Sequence, residues 1–376
     1  MKKFPFTRQW LHFVALIITS LIFYGFQSGP QVAQSIILQD ERSAITPKEF
    51  YIAGVVDERE DRAAVAYLLP AGADEKNQLK PVPVDIKGGG FVAVKQFILR
   101  NVPRNTTMRP VIVSLKKCMI TESAWSDGHI EGHVSLVMAF NLEDRDDVPE
   151  GGLHLLDYNG SAIYNRSLGQ SQDIEPTLRK VLENGIVYLN TWMNSQAGTN
   201  IKLAKAVKVT FEDYREKSEG DTLYYSLARP LRWDDFQSKT PSSRFDAEVF
   251  ATMGYDEHND VHNGVIYIHL LMKVCLPKEA CWVKAGSRND YTLNHEQRHF
   301  DIAKIASEKF KVKILKEDLP TGNFDGFINV DYLESYREMT EMQKLYDLET
   351  RHGSDHSAQE RWNEYIDEEL KKFGIK

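Results

Sequence analysis

The residue string Leu293-Asn294-His295-Glu296-Gln297-Arg298-His299 holds the strongest chemical signal in this 376-residue sequence. It spells H-E-x-x-H. On a helix, positions i and i+4 share a face. His295 and His299 can therefore aim two imidazoles at one metal ion, with Glu296 beside the position left open for a water. That donor pattern is the one zinc peptidases use, two nitrogens plus a carboxylate acting as general base.

A catalytic zinc takes three protein ligands, so a third must come from elsewhere. The run Tyr346-Asp347-Leu348-Glu349-Thr350-Arg351-His352-Gly353 packs a carboxylate, a second carboxylate and an imidazole into six positions. Asp347, Glu349 and His352 are all candidates. Tyr346 has a hydroxyl able to donate to an oxyanion, and Asp301 stands two residues after His299, able to support it from behind.

The elements that must position these groups follow from the pattern. Asn289 or Asp290 caps a helix whose apolar residues recur through Leu293, Phe300, Ala303, Ala306 and Phe310, with no Pro or Gly before Pro320. A second long helix is expected from about Val330 to His352, closed by Gly353. A third starts near Ser357, where Ser357 and Glu360 make a capping-box pattern. Ahead of them, strands are expected at Phe245–Gly254 and Gly264–Cys275, with a short one at Trp282–Lys284. Cys275 and Cys281 flank the turn Leu276-Pro-Lys-Glu-Ala280, which suits a disulfide in an oxidising compartment; three free thiols, Cys118 included, are the alternative.

The first half of the chain reads as short strands with one amphipathic helix. Strands are expected at Phe50–Val56, Ala63–Leu69, Val111–Ile120, His129–Leu142, Leu153–Tyr164 and Ile201–Phe211, and a helix at Glu175–Met193. His129 and His133 share a strand face but lie too far apart for one ion. Gly88-Gly89-Gly90 reads as a loop, because neither a Gly-Lys-Ser/Thr signature nor a helix start follows it. No cluster of catalytic residue types appears here, so a binding or positioning role is expected.

Lys2, Lys3 and Arg8 precede an apolar run from Trp10 to Phe26. This is the pattern of a signal peptide or N-terminal membrane anchor over residues 1–34, and it implies export to a periplasm, cell envelope or medium. Contact with a membrane is expected only through that segment if it stays uncleaved. With 42% hydrophobic and 27% charged residues and a net charge of −8, the rest is globular and acidic. The absence of a Lys/Arg-rich stripe argues against nucleic acid as a partner. The expected fold class is α+β: a sheet-plus-helix domain over 48–212, then a zincin-like domain over 222–376 with a short antiparallel sheet and three C-terminal helices.

Residues 222–376 resemble an exported bacterial family regarded as zinc-dependent proteases, domain of unknown function 922. Four pieces carry the resemblance in order: Leu231-Arg-Trp-Asp-Asp-Phe236, His295-Glu-Gln-Arg-His-Phe-Asp-Ile302, Tyr346-Asp-Leu-Glu-Thr-Arg-His-Gly353, and the helix bearing Gln359 and Trp362. The first half lies outside it. The resemblance implies one Zn2+ per chain and hydrolysis of a peptide or protein substrate. His352, on which its third piece ends, is then the favoured third ligand, with Asp347 and Glu349 behind it. Two other functions fit the same residues: a non-catalytic envelope protein with a structural or vestigial metal site, and an amidase acting on cell-wall material.

Overall fold

The structure, a computed structural model, describes residues 35–39, 45–70, 80–125, 128–143, 152–168, 170–216 and 218–375. The expected leader at 1–34 lies outside these. Among the described residues no helix is long and apolar enough to cross a membrane. The protein is α+β, and its described residues form two compact units that divide between Trp192 and Met193.

The first unit is built on a six-stranded sheet. Its strands are β1 (Phe50–Asp57), β2 (Ala66–Leu68), β3 (Val82–Val84), β4 (Arg109–Ala124), β5 (His129–Leu142) and β6 (Leu153–Ser167), in the order β3-β2-β4-β5-β6 with β1 parallel alongside β4. The three long strands form an antiparallel meander. On β5, Ile130, Val134, Leu136 and Met138 are buried, as period-two alternation requires. Helix α2 (Glu175–Gln196) packs closely here, because Gly185 has no side chain: a Cβ there would sit 2.2 Å from the Met138 methyl. His129 and His133 are ordinary strand residues, one stacked on Trp125 and the other bonded to Glu131.

One helix departs from the sequence expectation. The three glycines do lead into a helix, α1 (Gly90–Asn101). Gly88 and Gly89 have φ of 92° and 97°, which L side chains rarely adopt, and a Cβ on Gly90 would lie 2.4 Å from the Val65 side chain. The glycines serve the turn and a close approach, and the apolar Phe91-Val-Ala-Val94 that follows reads as strand when taken alone. Ile36, expected in a linker over 35–47, is buried and bridges to Ile86.

The second unit carries a four-stranded sheet made of β7 (Ala206–Asp213), β8 (Thr222–Tyr224), β10 (Thr252–His262) and β11 (Val265–Pro277), and a small pair, β9 (Ala247–Glu248) with β12 (Trp282–Val283). The central strand β11 hydrogen-bonds antiparallel to β10 and β8 and parallel to β7. This moves the boundary expected at residue 212. The strand at 206–213 had been read with the first domain, but its hydrogen bonds go to β11. Three helices complete the unit: α3 (Asp290–Ile314), α4 (Phe324–Thr350) and α5 (His356–Lys372). Ile302, Ala303 and Ile305 of α3 are buried in one core with Val274, Leu276, Met339, Tyr346 and Ile366, while Phe310 and Ile314 enter a second core with Ile266, Ile268 and Leu270.

Local chemistry sets the helix ends. Asn289 caps α3 by accepting from the Thr292 amide. α4 starts at Phe324, six residues before the expected Val330, and it stops at Thr350, two residues before His352. Asp355, and not Ser357, caps α5 through the Ala358 amide. Cys275 and Cys281 form no disulfide; all three cysteines are free. Between them the chain turns through a 3-10 turn at Lys278–Ala280, and Cys281 is buried in the helix-packed core with its thiol on the Pro277 carbonyl (3.3 Å), while Cys275 keeps the less buried side of β11.

Candidate metal centre

α3 supplies the first two groups of the centre. His295, Glu296 and His299 are all buried. α4 brings Asp347 to them: its Oδ1 lies 3.2 Å from His295 Nε2 and 3.0 Å from His299 Nε2. One ligand atom from each of these three residues falls within 4.8 Å of the other two.

The hydrogen bonds behind His295 fix its proton. The amide nitrogen of Gln359, on α5, donates to the Tyr346 hydroxyl (2.5 Å) and to Asn363 Oδ1 (3.1 Å). Its oxygen therefore faces His295 Nδ1, at 2.9 Å, and must accept from it. With Nδ1 protonated, the neutral ring turns a lone pair at Nε2 toward a carboxylate oxygen. Two acceptors then face each other, an arrangement that a shared metal ion or a second ring proton relieves. His299 Nε2 converges on the same oxygen. His299 Nδ1 is buried without a hydrogen-bond partner among the described residues, although Gln343 lies near enough to favour its charged form. The donor set, two imidazole nitrogens and one carboxylate oxygen, fits zinc with a coordination position to spare.

The field in the site follows from the same contacts. Burial disfavours the ionised form of Asp347, but the hydrogen bonds of His295 and His299, with the charge of His299 and His352, outweigh it and hold the carboxyl well below the usual carboxylate range. Burial works against a charged His299, yet Asp347 and Glu296 raise its proton affinity overall. Glu296 is pushed up, first by burial and also by Asp347; the two histidines and the Val249 backbone N–H oppose this.

The other sequence candidates fall outside the three-atom group. His352, the favoured third ligand, is replaced by Asp347. α4 ends before it, and Arg351 and His352 both turn to φ 50°, so the histidine leaves the helix face. It remains at the rim, with Nδ1 3.5 Å from Asp347 Oδ1 and its ring on Phe245 (3.7 Å between centroids). Partial burial lowers its proton affinity, helped by the nearby His295, His299 and Arg244 against Asp347. Glu349 is turned away and accepts from Trp362 Nε1 (2.7 Å).

Tyr346 is not placed as an oxyanion donor. It is fully buried, its hydroxyl is taken by the His295 carbonyl and Gln359, and its ring stacks on His295 (4.7 Å) and meets His299 edge-on (5.0 Å). Its work is packing. Asp301 does not touch His299. It accepts from Tyr225, Gln297 and Arg298, and so steadies α3 from its other side. The Leu231-Arg-Trp-Asp-Asp-Phe236 string also supports the helix: the Leu231 amide donates to the Gln297 side chain (2.8 Å), and Asp235 is held by Arg229 (2.6 Å).

Sequence reasoning named the α5 helix but gave Gln359 no role, and it gave Gly353 only the role of closing a helix. Gly353 has φ 77°, and a Cβ on it would touch the His295 ring at 3.4 Å. A glycine three residues past the helix end is the signal that was available.

No protein-family model and no curated protein matches this chain. Among solved structures, a crystal structure of a Xanthomonas campestris protein of the DUF330 family aligns with 43% of this chain and 94% of its own, at 8% identity and a TM-score of 0.29. A likeness that faint says nothing about the centre.

Proposed function

We propose that this protein is an exported zinc-dependent hydrolase that cleaves amide bonds, and that peptides or proteins are its substrates. The observation that carries the reading is the convergence of His295, His299 and Asp347 on one point, with the buried Glu296 next to it on the same helix. Three donor atoms suit a catalytic zinc, since a structural one is closed by four. The basic-then-apolar N-terminal sequence supports export, and the resemblance of residues 222–376 to zinc-dependent proteases points the same way.

His295, His299 and Asp347 would hold the ion, His295 locked in the correct tautomer by Gln359. When bound, zinc supplies Lewis acidity that polarises a carbonyl and acidifies a water. Glu296 is the base. Its carboxylate, steadied by the Val249 N–H, takes the proton from the attacking water and passes it to the leaving nitrogen. Burial raises its proton affinity, which suits a group that must hold a proton between those two steps.

Elemental analysis of the purified protein should find about one zinc per chain in the wild type and in Glu296→Gln, and little in His299→Ala or Asp347→Asn. Hydrolysis of a peptide substrate by Glu296→Gln should fall by about 10²–10⁴-fold. A zinc-loaded Glu296→Gln with full turnover would overturn the mechanism. His352→Ala should keep its zinc; its loss there would return His352 to the ligand set.

A further inference from the structure

Close to the candidate metal centre lies a cation that pairs with no acid among the described residues. Arg244 is exposed, with its guanidinium over the Phe245 ring at 4.8 Å. Phe245 in turn lies on His352 at 3.7 Å, and His352 abuts Asp347. Three stacked groups thus run from solvent to a ligand of the centre. Among the described residues Arg244 has neither an ion-pair partner nor a hydrogen-bond acceptor. The acids nearest in sequence are engaged elsewhere, Asp246 by Lys284 (3.4 Å) and Glu248 by the Trp282 indole (3.1 Å).

We infer that Arg244 reads a carboxylate on the substrate, so that the centre prefers substrates with an anionic group close to the bond that is cut. This rests on the hydrolase reading above. A stacked guanidinium spends its face on the aromatic ring and keeps its N–H edges free, and those edges match a carboxylate two bonds at a time. Stacking also fixes the side chain beforehand, which cuts the ordering cost of binding. The charge is permanent, so the preference persists across the neutral range. Either an acidic side chain or a free chain terminus supplies this chemistry.

The test uses the full chain and three mercaptoacetyl dipeptides, whose thiol is a zinc-binding group. One ends in a free carboxylate, one is amidated, and one is amidated but carries a glutamate side chain. Calorimetry on the wild type should show at least one carboxylate ligand binding tenfold or more tighter than the neutral one, and which one does so identifies the source. Arg244→Ala should bring all three within about twofold at unchanged zinc content. Arg244→Glu should bind the carboxylate ligands more weakly than the neutral one. Equal wild-type affinities, or a preference that survives in Arg244→Ala, would overturn the inference and leave the hydrolase reading standing. A wild type that takes up no zinc and binds none of the three would remove both.

Discussion

At the scale of single residues, the H-E-x-x-H spacing was legible because a helix fixes i and i+4 on one face whatever else the chain does. The third member of the cluster was not. Asp347, Glu349 and His352 are two and three residues apart, so at about 100° per residue a continuous helix would point them in different directions, and which one meets α3 depends on where α4 ends. The helix stops at Thr350, so Asp347 keeps its helical direction and His352 is swung off by two residues of left-handed backbone. Gln359 illustrates what tertiary contact adds. It is 1% exposed, and nothing in its sequence neighbourhood links it to His295, 64 residues away. Replacing it with leucine removes the acceptor for His295 Nδ1 and leaves that buried donor unpaired, at about 1–3 kcal/mol of stability. Zinc affinity, measured by competition with a chelator, should fall 10–100-fold. Gln359→Glu keeps an acceptor and should recover most of it. An unaltered affinity in the leucine variant would show that Gln359 only packs.

At the scale of elements, the long strands and α3 were readable from period-two and helical patterns, whereas α1 and the first turns of α4 were not. Both begin beside glycines that local propensity reads as loop, and both are held by contacts distant in sequence. Strand β7 is tied to α3 by one carboxylate: Lys304 and Lys311 donate to Asp213 at 2.7 Å each. Burial opposes the ionised Asp213, but the two lysines hold its proton affinity below the usual value of 3.8. A depressed folded-state pKa contributes stability that is complete above the unfolded value and is lost as pH falls through the folded one. Asp213→Asn should therefore cost on the order of 1 kcal/mol at neutral pH, given that the carboxylate is partly solvated. In thermal melts the gap between variant and wild type should close below about pH 4. A gap of constant size down to pH 2 would mean that shape, not charge, ties the strand to the helix.

For the whole molecule, the α+β class was evident from the sequence, but the line between its halves was drawn too late. The charged stretch after residue 212 looks like a linker by composition, yet the strand before it completes the sheet of the second unit through β11. A fragment of residues 222–376 would lack β7 and leave Val265–Met272 of β11 unpaired along one edge, a ready template for association with other chains. That fragment should aggregate or melt well below one of residues 193–376, as size-exclusion chromatography and calorimetry would report. Equal behaviour would show β7 to be dispensable. The packing around Tyr346 has a practical bearing on such work. Its ring stacks on His295, and Trp362 meets it edge-on at 5.4 Å. An indole thus stands one aromatic ring from His295, and tryptophan emission is the dye-free signal in which to look for metal uptake at the cluster.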